Sequence, residues 1–173
     1  LLSNSEDINL SIDINLQQAV RNNLLETINF YKAESGLAIV MDISNGEVLS
    51  SVSYPDFNPN NNRSFNELNL INRVIQSNFE MGSTFKPLTV VNGFDYGIIN
   101  PKMVFDVKKS VKGVKDHDTY KDNGIYDAEK IVVESSNIGT AQIALKIGKN
   151  NQKEFLNKLG FFEKIDIELF EAE

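Results

Sequence analysis

Cysteine is absent from these 173 residues, histidine occurs once and proline four times. Without cysteine there are no disulfides, no thiolate nucleophile and no cysteine-ligated metal site. A lone histidine, His117, flanked by Asp116 and Asp118, has no second imidazole or thiolate to share a metal with and reads as an exposed loop residue. No apolar run approaches the ~20 residues needed to cross a bilayer. Positive charge is also scarce: 17 Lys and Arg against 24 Asp and Glu give a net charge of −7, which argues against nucleic acid as a partner. The lysines at 108, 109, 112 and 115 read as a solvated ribbon, and the acidic residues from Glu163 to Glu173 as a solvated edge.

What is present suffices for one domain with a sizeable core. Leu16, Val20, Leu24 and Ile28 recur every four residues, which predicts an amphipathic helix over 16–31. Leu37–Asp42 and Glu47–Ser53 flank Asn45-Gly46, the signature of an antiparallel hairpin. Residues 55–66, rich in Asn and Pro, read as a loop. A helix is expected from Ser83 to Gly97, and further helices over 128–135, 137–147 and 152–159. Residues 105–126 show no regular pattern.

Two short motifs can carry chemistry. Ser83-Thr84-Phe85-Lys86, preceded by Gly82 and followed by Pro87, sets a hydroxyl and an amine three residues apart at a helix start. Residues i and i+3 share a helix face, so the Lys86 amine can reach toward Ser83. A serine needs such a neighbouring base to become a nucleophile. Ser135-Ser136-Asn137 offers a hydroxyl and a carboxamide bracketing one residue. Taken singly it reads first as the start of a helix capped by Ser135 or Ser136, and both roles are compatible.

Four blocks in order resemble the transpeptidase domain of class B penicillin-binding proteins, the cell-division (septal) type most closely. They are Leu10-Ser11-Ile12-Asp13-Ile14-Asn15-Leu16-Gln17; Ala38 to Leu49 continuing into Tyr54-Pro55-Asp56-Phe57-Asn58-Pro59-Asn60; Asn72-Arg73 with Phe79 to Pro87; and Ser135-Ser136-Asn137-Ile138-Gly139. Together they cover nearly the whole chain. Met81 stands where the family usually has proline, and the family's third motif, K-[ST]-G on an edge strand, is absent. Residues 1–173 are therefore expected to be the N-terminal portion of a transpeptidase domain, inactive alone. The resemblance implies an α/β composition in an α+β arrangement, the penicillin-binding protein and serine β-lactamase fold. Its antiparallel sheet would be incomplete, with an exposed edge that invites self-association.

By the same resemblance, Ser83 is the nucleophile, Lys86 its base, Ser135 a proton relay and Asn137 a substrate clamp, with no metal or organic cofactor. The substrate implied is the D-Ala-D-Ala stem peptide of peptidoglycan, with β-lactams as mimics that acylate Ser83. Division-complex membrane proteins and a lipid-linked glycan polymerase are the implied partners. The chain opens on Leu1 without a signal peptide and reads as a piece of a longer protein held at the periplasmic face of the inner membrane by an upstream anchor. Three alternatives stay open. A class D β-lactamase shares S-T-F-K but has S-x-V and lacks the first block. A bifunctional class A penicillin-binding protein shares both short motifs but carries an upstream glycosyltransferase domain. A non-catalytic scaffold would explain the missing third motif.

Overall fold

The structure is a computed structural model, described here for residues 9–61, 66–116, 123–164 and 167. His117 and Asp118, and the acidic positions Asp166, Glu168, Glu171 and Glu173, lie outside the described residues. The chain divides into two compact units, Leu1–Asn78 with Ile167–Glu173, and Phe79–Asp166.

The first unit is a helix laid on a hairpin. Helix α1 spans Ile14–Tyr31, two residues earlier than its apolar stripe suggests. The reason is Asp13, whose carboxylate accepts the Asn15 and Leu16 amides and caps the free N–H groups of the first turn. Strands β1 (Gly36–Met41) and β2 (Val48–Tyr54) pair antiparallel, with a register shift at Val40/Met41. The hairpin is as expected, but its connection is longer than Asn45-Gly46 alone. Asp42 accepts the Ser44 amide and hydroxyl, and Gly46 takes φ 83°, so an Asp-centred turn builds the corner.

Two polar residues bind this unit together. Gln17 of α1 donates to the Ser51 carbonyl, while its own oxygen accepts from the Ser51 amide and the Ser50 hydroxyl, at 2.8–2.9 Å. Arg21 grips Asp56 with two N–H bonds, at 2.7 and 3.2 Å. The apolar stripe lies inward, with Ile28 buried. A methyl on Gly36 would come within 3.0 Å of Ile28 and 3.1 Å of Leu24. Beyond a cis Tyr54–Pro55 bond residues 56–61 form neither helix nor strand, and a 3₁₀ turn at Glu67–Asn69 precedes the short helix α2, Arg73–Gln76. The Arg73 guanidinium donates to the carbonyls of Pro55, Leu68 and Ile71, which accounts structurally for the Asn72-Arg73 block.

The second unit is mostly helical. A 3₁₀ turn, Gly82–Phe85, leads into α3, Lys86–Asp95. Strands β3 (Phe105–Asp106) and β4 (Ile125–Tyr126) form a second small antiparallel pair. Helix α4 covers Ala128–Val133 and α5 covers Asn137–Lys158, broken at Gly148, whose φ of 77° and ψ of 163° are not helical. The two helices expected over 137–147 and 152–159 are thus the two arms of α5. Val90, Ile99, Phe105, Val107, Tyr126, Ile131, Ile138, Ile143 and Ile147 form the core. Lys108, Lys109, Lys112 and Lys115 are exposed, as a solvated ribbon should be.

The described residues thus contain helices and two short antiparallel pairs, an incomplete sheet. Ile39, Met41 and Ile43 of the β1–β2 hairpin are exposed, the apolar surface expected of an open edge.

Candidate active site

The Ser83 motif begins at a residue whose backbone favours glycine. Gly82 has φ 56°, a left-handed conformation that a side chain would disfavour. The Thr84 hydroxyl and amide both donate to the Met81 carbonyl, at 2.6 and 3.2 Å, and the Lys86 amide closes onto the Ser83 carbonyl. In a 3₁₀ turn, side chains at i and i+3 eclipse one another, so Ser83 and Lys86 project from the same side more directly than on an α-helix. Pro87 falls in the first turn of α3, where its missing N–H has no partner to lose. Ser83 is exposed, whereas Lys86 is only 9% exposed.

The Ser135 motif is the corner between α4 and α5. Asp127 caps α4 by accepting the Lys130 amide at 2.8 Å. The chain then turns sharply, with Ser135 N–H on the Val132 carbonyl and Ser136 N–H on the Ile131 carbonyl. Ser135 itself sits at φ 51°, a left-handed conformation that costs an L-residue ~1–2 kcal/mol. Ser136 caps α5 by accepting the Gly139 amide at 2.9 Å, one of the two capping assignments open from sequence. Gly139 is required by packing: a Cβ there would lie 2.5 Å from Ile131 Cγ1.

These two motifs meet. Lys86 Nζ donates to Ser135 Oγ at 2.8 Å and to the Ser135 carbonyl oxygen. The left-handed turn is what offers both oxygens of one residue to one amine. Ser83 Oγ makes no hydrogen bond to another described residue, so the lysine is directed to Ser135 and not to the serine on its own turn. A buried amine needs acceptors for its N–H groups, and Ser135 supplies two. Burial pushes the Lys86 amine below the ordinary lysine range, and the negative charge of Asp116 partly opposes that shift.

Asp116 and Asn137 complete the cluster. The Asn137 carboxamide donates to the Lys115 carbonyl at 3.0 Å, and its oxygen makes no hydrogen bond to a described residue. Asp116 Oδ2 accepts from the Ser136 hydroxyl at 2.7 Å, and Oδ1 accepts the Asn137 and Ile138 amides. Sequence reasoning singled out Ser83, Lys86, Ser135 and Asn137; Lys86 is hydrogen-bonded to Ser135, and Asn137, two residues further on, is bonded to Asp116 and Lys115. That reasoning took the Asp116 segment for plain loop, because a carboxylate 20 residues before the helix it caps leaves no local spacing to detect.

The family model for the penicillin binding protein transpeptidase domain matches residues 36–172. Over 165 residues the chain is 30% identical to the probable peptidoglycan D,D-transpeptidase FtsI of Caulobacter vibrioides, covering 94% of this chain and 28% of that protein. It is 35% identical over 161 residues to the peptidoglycan D,D-transpeptidase FtsI of Buchnera aphidicola subsp. Schizaphis graminum, covering 90% of this chain and 27% of that protein. Among solved structures, the apo TP domain of Burkholderia pseudomallei penicillin-binding protein 3 superposes with a TM-score of 0.73 at 28% identity, covering 87% of this chain and 42% of that one. The fold is therefore that of the penicillin-binding transpeptidases. The chain belongs to the penicillin-binding protein transpeptidase domain family, and it spans less than a third of the length of those two relatives.

Proposed function

We propose that the chain is the N-terminal portion of the transpeptidase domain of a septal peptidoglycan D,D-transpeptidase, with Ser83 as its acylated nucleophile. The observation that carries this reading is the buried Lys86 amine held by both oxygens of Ser135. A neutral lysine has two N–H bonds and one lone pair. Ser135 accepts both N–H bonds, which leaves the lone pair to take the Ser83 proton as Ser83 attacks the penultimate carbonyl of a D-Ala-D-Ala stem peptide. Burial favours that neutral form. Ser135 Oγ accepts from Lys86, so its own O–H is available to pass a proton to the departing amine. The uncommitted oxygen of Asn137 suits an N–H of the substrate backbone.

The terminal D-Ala leaves, the acyl group rests on Ser83, and the amine of a neighbouring stem peptide takes it to form the cross-link. A β-lactam in the same position would leave its acyl group on Ser83. No K-[ST]-G occurs in these residues, so the strand that completes the oxyanion hole would have to come from outside them. Each missing donor of that kind typically costs ~10²–10³ in rate.

The relatives' name, peptidoglycan D,D-transpeptidase, supports a role in peptidoglycan cross-linking; in this reading the parent protein works in septal wall synthesis on the periplasmic side of the inner membrane, alongside other division proteins. S-x-N at Ser135 and Asn137 favours this over a class D β-lactamase, whose pattern is S-x-V. The test is intact-mass analysis of the full-length protein after incubation with a reactive penicillin. One adduct, lost in Ser83→Ala, is expected. An unmodified wild type, or a mutant that still acylates, overturns the assignment.

A further inference from the structure

We propose that Asp116 is a positioning residue of this site: its carboxylate clamps the Ser136–Ile138 turn and thereby holds Ser135 where both its oxygens face Lys86. The clamp has three attachment points on three consecutive residues, Ser136 Oγ, the Asn137 amide and the Ile138 amide. A fourth bond, from the Asn137 carboxamide to the Lys115 carbonyl, ties the same strip of chain to the same turn. All four lie immediately after Ser135, whose φ of 51° is a conformation that persists only where its surroundings over-determine it. On the other side Ser135 is held by its amide on the Val132 carbonyl.

Capping alone does not account for this arrangement. Ser136 already caps α5 through the Gly139 amide, and the remaining first-turn amides could be satisfied by water. What the carboxylate adds is a tether across 20 residues of chain and a negative charge at a helix N-terminus. The charge is also felt by Lys86, where it favours the ammonium and opposes burial. Among the described residues, Asp116 is the charged group that acts on that amine. The two effects separate by substitution. Asp116→Asn keeps an Oδ1 that can accept the two amides but removes the charge, whereas Asp116→Ala removes both.

The proposal deepens the acyl-transfer reading and rests on it. The test uses the full-length protein and follows Ser83 acylation by a fluorescent penicillin across pH, with the folded fraction measured in parallel. Asp116→Ala is expected to lower the second-order acylation rate of folded protein on the order of 10–100-fold, the scale on which small misplacements act. Asp116→Asn should recover most of that loss, while the acid limb of its pH profile, where Lys86 becomes protonated, moves to lower pH. An Ala variant that acylates at the wild-type rate overturns the proposal. So does an Asn variant as slow as Ala with its acid limb unmoved. Should Asp116→Ala fail to fold, the Asn variant decides by the same limb. A wild type that takes no penicillin overturns the acyl-transfer reading instead. NMR of the Ser135 amide then judges Asp116 separately: a displaced, broadened resonance in folded Asp116→Ala, largely restored in Asp116→Asn, is expected, and a Ser135 resonance unmoved in Asp116→Ala overturns the claim.

Discussion

Lys86 and Ser135, 49 residues apart in sequence, are joined by two hydrogen bonds from one amine to two oxygens of one residue, the Oγ contact being 2.8 Å. The backbone of Ser135 is left-handed, so its substitutions separate backbone from side chain. Ser135→Gly should be more stable than Ser135→Ala by up to ~1–2 kcal/mol, because glycine adopts positive φ without the Cβ penalty. Both should slow acylation of Ser83 by similar factors, since both lack the hydroxyl. Denaturant midpoints paired with acylation rates check this; an alanine variant as stable as the glycine one would show that the turn carries no strain.

Burial of Lys86 predicts a pH signature in stability. Its amine lies below the ordinary lysine range in the folded state, so the unfolded chain binds more protons between that lowered value and about 10.4. Stability rises with pH wherever the unfolded state binds more protons. Below the lowered value the folded state bears the full cost of a desolvated ammonium, and this cost fades as pH climbs. Compared with Lys86→Met, the wild type should therefore gain stability as pH is raised from neutral toward 10. Urea midpoints of both proteins across that range measure it, and a constant difference would contradict the burial argument.

Gln17 makes three hydrogen bonds to Ser50 and Ser51 from the face of α1 that meets β2. Gln17→Ala leaves a part-buried amide, carbonyl and hydroxyl without partners. Each such group costs ~1–3 kcal/mol when water cannot replace the bond, so a loss of about 2 kcal/mol is expected. Gln17→Glu should recover the two accepted bonds but not the donated one, and fall between. A thermal unfolding series would rank the three, and an Ala variant matching wild type would remove Gln17 as the fastener of helix to hairpin.

Gly139 allows α5 to lie against α4. A methyl there would sit 2.5 Å from Ile131 Cγ1, and Ile131 is fully buried with no room to yield. Gly139→Ala is expected to destabilise by ~1–3 kcal/mol, the scale of overpacking, despite alanine's better helix propensity. The paired change with Ile131→Ala, which removes Cγ1, Cγ2 and Cδ1, should cost less than the sum of the two single losses. Chemical denaturation of the single and double variants tests the coupling.

Much of this molecule was legible from local pattern. The four-residue apolar period from Leu16 to Ile28 set α1, Asn45-Gly46 between two apolar runs set the hairpin, and the order of the motif blocks pointed to the family. Each of these depends on residues close in sequence, where periodicity and turn chemistry act without help from distant chain. Ser83, Lys86, Ser135 and Asn137 were nameable for the same reason, as short motifs of chemically apt residues. Only the tertiary structure decided that the lysine turns to Ser135, because that choice depends on a left-handed corner between α4 and α5 that the shared core of Val90, Ile131 and Ile143 brings beside α3. It alone decided that Asp116 holds the corner. A hydrogen bond across 20 or 49 residues is selected by burial and by which acceptors are left within reach, and neither is written in the spacing of the chain.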